Sequence, residues 1–287
     1  LLVERASKTG TGMAIGINGV WGNLGVASAA LITGFFIDHG GWRFAFFVPG
    51  IVSVLIGLGY IWLFRADMRP AGGTARGKSN AASAPLPPDL KSLLIKLSAI
   101  IFFTTAVSGI VFQSTTFALP KVFDERLTGI AGSATLIGWL AFLVFAVASI
   151  AQVIVGRLLD KLGPRTVFLG AALIQMVFFS LMPGLVDWAA LIVAVAFMLG
   201  AFGQIPINDY MIGKLARSDL RASIYGVRYI VSFAVLAAAL PLIAWIHQGW
   251  GFDRLFQVLA VAAGAIFAAV WLLPRRLPDP EPVPASA

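Results

Sequence analysis

Eight stretches of this chain are continuously apolar over about 20 residues each, and that length limits what the chain can become. They are Gly12–Ile37, Trp42–Phe64, Leu97–Leu119, Ala134–Val155, Thr166–Met182, Trp188–Asn208, Ile224–Ile246 and Phe252–Leu273. A helix of about 20 apolar residues crosses a bilayer core roughly 30 Å thick. In that medium every backbone N–H and C=O must be satisfied within the protein, so only helices and closed barrels span it. Barrel strands alternate apolar and polar residues; these runs do not, so helices are expected. Charged residues fill 12% of 287 positions, against about 25% in a soluble domain. The chain therefore lacks the polar surface to face water all round.

The charges also orient the spans. Eight consecutive crossings divide the flanking segments into two sets. Of the 21 Lys and Arg, only Arg43, Lys121, Arg126 and Arg254 fall in one set, and the other seventeen fall in the second. Positive residues collect on the cytoplasmic side of membrane proteins, so both chain ends are expected there. The same asymmetry accounts for the net charge of +8, and no nucleic-acid partner is implied. No cysteine is present, which excludes disulfides, thiolate metal sites and a cysteine nucleophile. The start at Leu1 lacks the basic-then-apolar pattern of a signal peptide.

One long connection interrupts the spans. Residues 66–96 contain Gly72-Gly73, Ser79, Ser83 and Pro85-Leu86-Pro87-Pro88 among scattered positive charges. That composition predicts a flexible cytoplasmic linker, with its amphipathic end, Asp89 to Lys96, along the membrane surface. The Pro- and Ala-rich stretch 274–287 predicts a disordered cytoplasmic tail.

An internal repeat sharpens the organisation. His39-Gly40-Gly41-Trp42 precedes the second span and His247-Gln248-Gly249-Trp250 the eighth, at an offset of 208 that Phe44 and Phe252 share. The matched spans are six apart and run the same way. A six-helix unit repeated in parallel is a known transporter architecture. If the unit is six helices, the first copy contributes only two spans here, and four are expected to precede them.

The stretch Gly156-Arg157-Leu158-Leu159-Asp160-Lys161-Leu162-Gly163-Pro164-Arg165 resembles the cytoplasmic loop motif of the major facilitator superfamily. The resemblance covers nearly the whole chain, as spans five to twelve of twelve. It implies an all-α membrane protein with a helical bundle of that family's type and eight transmembrane helices present. Residues 1–65 would hold the last two helices of the N-terminal half, and 97–273 the complete six-helix C-terminal half. It also implies a conformational latch at Gly156, Arg157, Asp160, Lys161, Gly163 and Arg165. There the Asp160 carboxylate would accept from the N-terminal amides of the first span, Thr11–Met13. A solvated turn that only holds topology is the plainer alternative. The Gly-Pro pair of the family's antiporter branch is absent from the first span, which has Gly22-Asn23 and Gly25-Val26 instead.

Polar side chains inside spans are costly and mark candidate substrate paths. The candidates are Asn18, Asn23, Ser108, Gln113, Gln204, Tyr225 and Arg228, with Asn23, Ser108 and Gln113 favoured for a central cavity and Trp21, Phe112 and Trp139 as aromatic partners. Gln152 and Gln175 read as hydrogen-bonding glue between helices. Asn208 is a further polar candidate, and the plainer alternative is that Asn208 and Asp209, which follow Pro206, only cap or end a helix. Arg228 either snorkels to the cytoplasmic surface or binds anionic groups. No Asp or Glu lies near the middle of a span, so either a carboxylate that couples transport to protons lies on the four helices expected to precede these spans, or the protein is a uniporter or uses another ion.

The expected function is secondary transport of a small organic solute by alternating access, as proton-coupled efflux or organic-anion transport, in a bacterial inner membrane. Lipid and solute are the expected partners, protons the candidate coupling ion, with no cofactor and a monomeric state. A membrane enzyme would need clustered ligands or a nucleophile–base pair, which two histidines 208 residues apart do not supply. The other reading is a non-transporting sensor or a fragment, in which Gly12–Phe64 is an orphan pair beside a compact bundle from Leu97 to Leu273.

Overall fold

The computed structural model describes residues 11–64, 88–215 and 221–274, and its regular structure is entirely helical. The expected N-terminal flank, most of the linker and the C-terminal tail lie outside the described residues. The helices are α1 (Thr11–Gly40), α2 (Phe44–Phe64), α3 (Pro88–Arg126), α4 (Ala134–Leu162), α5 (Pro164–Leu181), α6 (Asp187–Leu215) and α7 (Arg221–Trp271). All seven are long and apolar enough to cross a membrane. Helix α3 begins at Pro88, so residues 88–96 continue into the span and form no separate surface segment.

Seven helices stand where eight segments were expected, and the difference lies in α7. This 51-residue helix is interrupted at Gly251, where φ is 75° and ψ −178°. The expected division between Ile246 and Phe252 falls at that interruption. The turn between α1 and α2 also holds a left-handed glycine, Gly41, at φ 84°. The two turns therefore match at an offset of 210, not 208, because α7 stays helical through Gly249 and Trp250 whereas α1 stops at Gly40. In the new register Trp42 pairs with Phe252, Phe46 with Phe256 and Val48 with Val258.

The backbone at Gly251 belongs to a region that only glycine occupies readily, and no side chain crowds its Cβ position. Gly251→Ala should therefore reveal backbone strain alone, a loss of about 2 kcal/mol. Thermal unfolding of the purified protein would report it as a lower midpoint. Gly249→Ala, inside regular helix, should leave the midpoint level or raise it.

Helix α4 is central. It packs against α1 on one side and α6 on another, while α5 and α3 lie against α7. Phe179, Phe197 and Phe256 join α5, α6 and the second arm of α7, with ring centroids 4.9 Å apart for the first two and 5.5 Å for the last two. At one end of the bundle Arg126 donates to the Asp253 carboxylate at 2.5 Å and to the Leu185 carbonyl at 3.2 Å. Asp253 also accepts from the Gly184 N–H at 3.0 Å, which ties α3, the α5–α6 turn and α7 together.

The pair expected to be an orphan divides. Helix α1 docks along its whole length on α4, and α2 stands apart, burying none of its most apolar window. The docking is made possible by glycine. A Cβ at Gly12 would meet the Gly156 carbonyl oxygen at 2.5 Å, and one at Gly138 the Ala30 carbonyl oxygen at 2.6 Å. Gly16 lies against the Gln152 backbone and Gly34 against that of Ala134. Small residues let two backbones approach in lipid, where helix association depends on close packing. Helix α2 carries Gly50, Ser53 and Gly57 on one face, but nothing lies within 4 Å of a Cβ at either glycine; its Phe46, Phe47 and Ile51 are exposed, which carries no penalty in a hydrocarbon solvent.

Candidate functional site

Polar side chains from three helices converge on a cavity of about 130 Å³. Helix α3 contributes Thr105, Ser108 and Gln113, α6 contributes Gln204 and Asn208, and α7 contributes Arg228 and Ser232. Thr105 reaches Asn208 at 3.4 Å. Gln204 donates to Gln175 at 2.8 Å, so Gln175 does join two helices. The Ser108 hydroxyl and the Gln204 Oε1 are buried and find no hydrogen-bond partner among the described residues. Arg228 forms an ion pair with Asp209. Phe112 lines the cavity and lies 5.2 Å from the Phe202 ring.

Ser108, Gln113, Gln204 and Arg228 are thus brought together. Asn18 and Asn23 are not. Asn18 is exposed, and the Asn23 amide donates to the Gly19 carbonyl of its own helix at 3.1 Å, so its polarity is absorbed locally. Trp21 and Trp139 are exposed rather than cavity-lining. The side chain of Tyr225 lies outside the described residues. Asn208 and Asp209 do not end a helix, because α6 continues through Pro206 to Leu215. Pro206 deletes one helical hydrogen bond, a loss that packed membrane helices absorb. Asn208, a polar candidate in the sequence, does line the cavity, and Thr105 and Asp209 join it without having been singled out. Thr105 is one of several hydroxyls in its apolar run, and Pro206 made Asp209 look like part of a helix end.

A second cavity, of about 690 Å³, lies between α1, α3 and α4 near the Lys121–Asp124 ion pair. It is larger, but its walls are chiefly Val26, Ala30, Ile37, Phe117, Ile137 and Phe145. Orientation and selectivity come from convergent polar groups, not volume, so the smaller cavity is the stronger candidate.

The motif residues gather at one end of the α1–α4 seam. Gly156 to Leu162 form the last two turns of α4, not a loop, and the chain reverses in the single residue Gly163, at φ 80° and ψ 160°. That conformation again suits glycine, and Pro164 then opens α5. Asp160 accepts from the backbone N–H of Gly12 at 3.1 Å and of Met13 at 3.2 Å. A carboxylate on the first-turn amides of a helix gains from both unpaired donors and macrodipole. Arg165 turns elsewhere, donating to the Trp271 carbonyl at 2.8 Å with its guanidinium over the Trp271 ring. Arg157 and Lys161 are exposed.

The other end of the seam repeats the arrangement with the helices exchanged. Asp38, near the end of α1, accepts from the N–H groups of Ala134 at 3.3 Å and Thr135 at 2.7 Å, the first residues of α4. Because α1 and α4 are antiparallel, each brings a carboxylate to the other's N-terminus.

Seven apolar helices, a glycine-packed seam and a polar cavity within the bundle define an integral, α-helical membrane protein. The sequence profile of the Major Facilitator Superfamily matches residues 1–131 and 101–287, which together span the whole chain. The chain belongs to the Major Facilitator Superfamily and is a membrane transporter. A comparison with curated proteins gives no match.

Proposed function

We propose that the protein moves a small organic solute by alternating access, with α1 and α4 meeting across the boundary between two helical units. In this reading the two arms of α7 cross the membrane separately, and α3 to α7 make one six-helix unit. Both termini are cytoplasmic, as the uneven distribution of Lys and Arg supports. The observation that carries the proposal is the pair of reciprocal carboxylate contacts at opposite ends of one seam. Each is local enough to be released alone. Opening one while keeping the other exposes a central site to one side at a time. Asp160 would then act as the inner latch, with Gly156 giving close approach and Gly163 the reversal.

The lack of cysteine allows a clean test. Single cysteines replace Ile17, near the Asp160 end, and Ile37, near the Asp38 end; both positions are about half exposed. Their labelling by a membrane-impermeant maleimide is followed in proteoliposomes while small organic acids, amines and sugars are added. A transported solute should shift the two rates in opposite directions by about fivefold or more. Rates that rise and fall together, or that no solute class moves, would overturn alternating access.

A further inference from the structure

We propose that the cavity between α3, α6 and α7 is a proton-coupled carboxylate site, in which Arg228 binds the carboxylate of a small monocarboxylic acid while Asp209 takes up one proton. This rests on the transporter reading and names its solute class and coupling ion. Arg228 both lines the cavity and pairs with Asp209, and the two side chains are only 18% and 29% exposed. Both lie in segments apolar enough to span a membrane. A balanced ion pair is tolerated there, and an unbalanced one is not. A carboxylate arriving at Arg228 places two anions around one cation. Protonation of Asp209 restores the balance.

The step conserves charge and breaks no covalent bond. The solute carboxylate and one proton enter, the Asp209 carboxylate becomes a carboxylic acid, and the site keeps one cation and one anion. Release of both on the other side resets the pair, so the cycle is electroneutral. A neutral amide offers Arg228 no charge and drives no proton uptake.

The remaining groups fit such a guest. Ser108 brings a buried hydroxyl without a partner among the described residues. It suits the carboxylate oxygen that Arg228 does not hold. Gln113 and Gln204 add amides, and Phe112 supplies an apolar wall. A volume of about 130 Å³ matches roughly four waters at about 30 Å³ each, which sets the scale of an acid with a short aliphatic tail. Asp209 faces Arg228 as its charged partner among the described residues. From α3 come Thr105 and Ser108, which are uncharged, and Tyr210 and Tyr229 flank the pair in sequence. On α4, Arg157 and Lys161 are exposed and Asp160 is engaged with α1.

The test is an equilibrium one, on the whole chain in nanodiscs, with propionate as probe and propionamide as neutral control. Calorimetry gives the affinity, and a pH-indicator dye in weak buffer gives the proton count. Propionate binding should take up close to one proton and weaken about tenfold per pH unit above the titration of Asp209. Asp209→Asn should bind propionate without taking up a proton and with no pH dependence. Arg228→Gln should lose propionate binding by tenfold or more. Binding of propionate that is pH-independent in the unaltered protein, absence of propionate binding, or equal binding of propionamide would each overturn the proposal. If Asp209→Asn does not fold, the proton count of the unaltered protein decides alone. Because no transport is measured, failure here leaves alternating access standing, and failure of the maleimide test leaves this linkage standing.

Discussion

Gly156→Leu is expected to detach α1 from α4. A side chain at this position points at the backbone of α1, not at a flexible neighbour. Its Cβ would lie against the Gly12 carbonyl and 3.1 Å from the Met13 Cα. Neither atom can rotate away, so the helices must separate by several ångströms. Separation removes both Asp160 hydrogen bonds and the contacts along Gly16 and Gly19. The summed loss is about 4 kcal/mol, taking two charge-assisted bonds at about 1.5–2 kcal/mol each and the close packing with them. Spin labels at the exposed positions Ile17 and Ile154 would register it as a longer, broader distance distribution in nanodiscs. Gly170→Leu, on α5 with open space at its Cβ, should leave that distribution unchanged. An unaltered distance in Gly156→Leu would mean that the glycine seam does not hold the helices together.

Asp160→Asn and Asp38→Asn are expected to open opposite ends of the same seam. An amide keeps the shape of the carboxylate but loses its charge and half of its accepting capacity. Asp160→Asn should therefore weaken its part-buried end by about 2–3 kcal/mol, a shift of about 30- to 150-fold in the balance between closed and open, and Asp38→Asn should weaken its solvent-exposed end by less. With labels at Ile17 and Ile154 the long distance should appear in Asp160→Asn alone. With labels at Ile37 and Leu136, also exposed, it should appear in Asp38→Asn alone. Transport rate should fall in both, and membrane insertion, which depends on hydropathy, should not. Normal turnover in Asp160→Asn would leave its carboxylate a mere topological turn. Opening at both ends in either variant would mean the seam releases as a single unit.

Membrane class was legible because a bilayer imposes length and apolarity on each span without reference to its neighbours. The ends of the segments Ala134–Val155 and Trp188–Asn208 were misjudged for one reason. Helical hydrogen bonding continues into Arg157–Leu162 and through Pro206, where hydropathy alone sees charge and a breaker. Asp160 could be tied to the first turn of α1 only through a family resemblance. Asp38 had no such guide and went unnoticed, although it makes the same kind of contact. Ser108, Gln113, Gln204 and Arg228 could be picked out singly by polarity. Their convergence could not, since it depends on which faces of α3, α6 and α7 meet. Asn23 shows the converse failure, because a polar group within a span can satisfy itself on its own helix.

The length of α4 places its two clamps in a particular medium. Its 29 residues extend about 43 Å at 1.5 Å per residue, against a hydrocarbon layer of roughly 30 Å. Even tilted, the helix overhangs the oily layer, so Asp38 and Asp160 contact their partner amides at the depth of the lipid headgroups. There they share space with headgroup charges, water and dissolved salt. A thinner bilayer, or one with different headgroups at its two faces, would load the two clamps unequally. In the proposed alternating-access cycle, lipid composition would thereby become a determinant of which side of the membrane the protein faces.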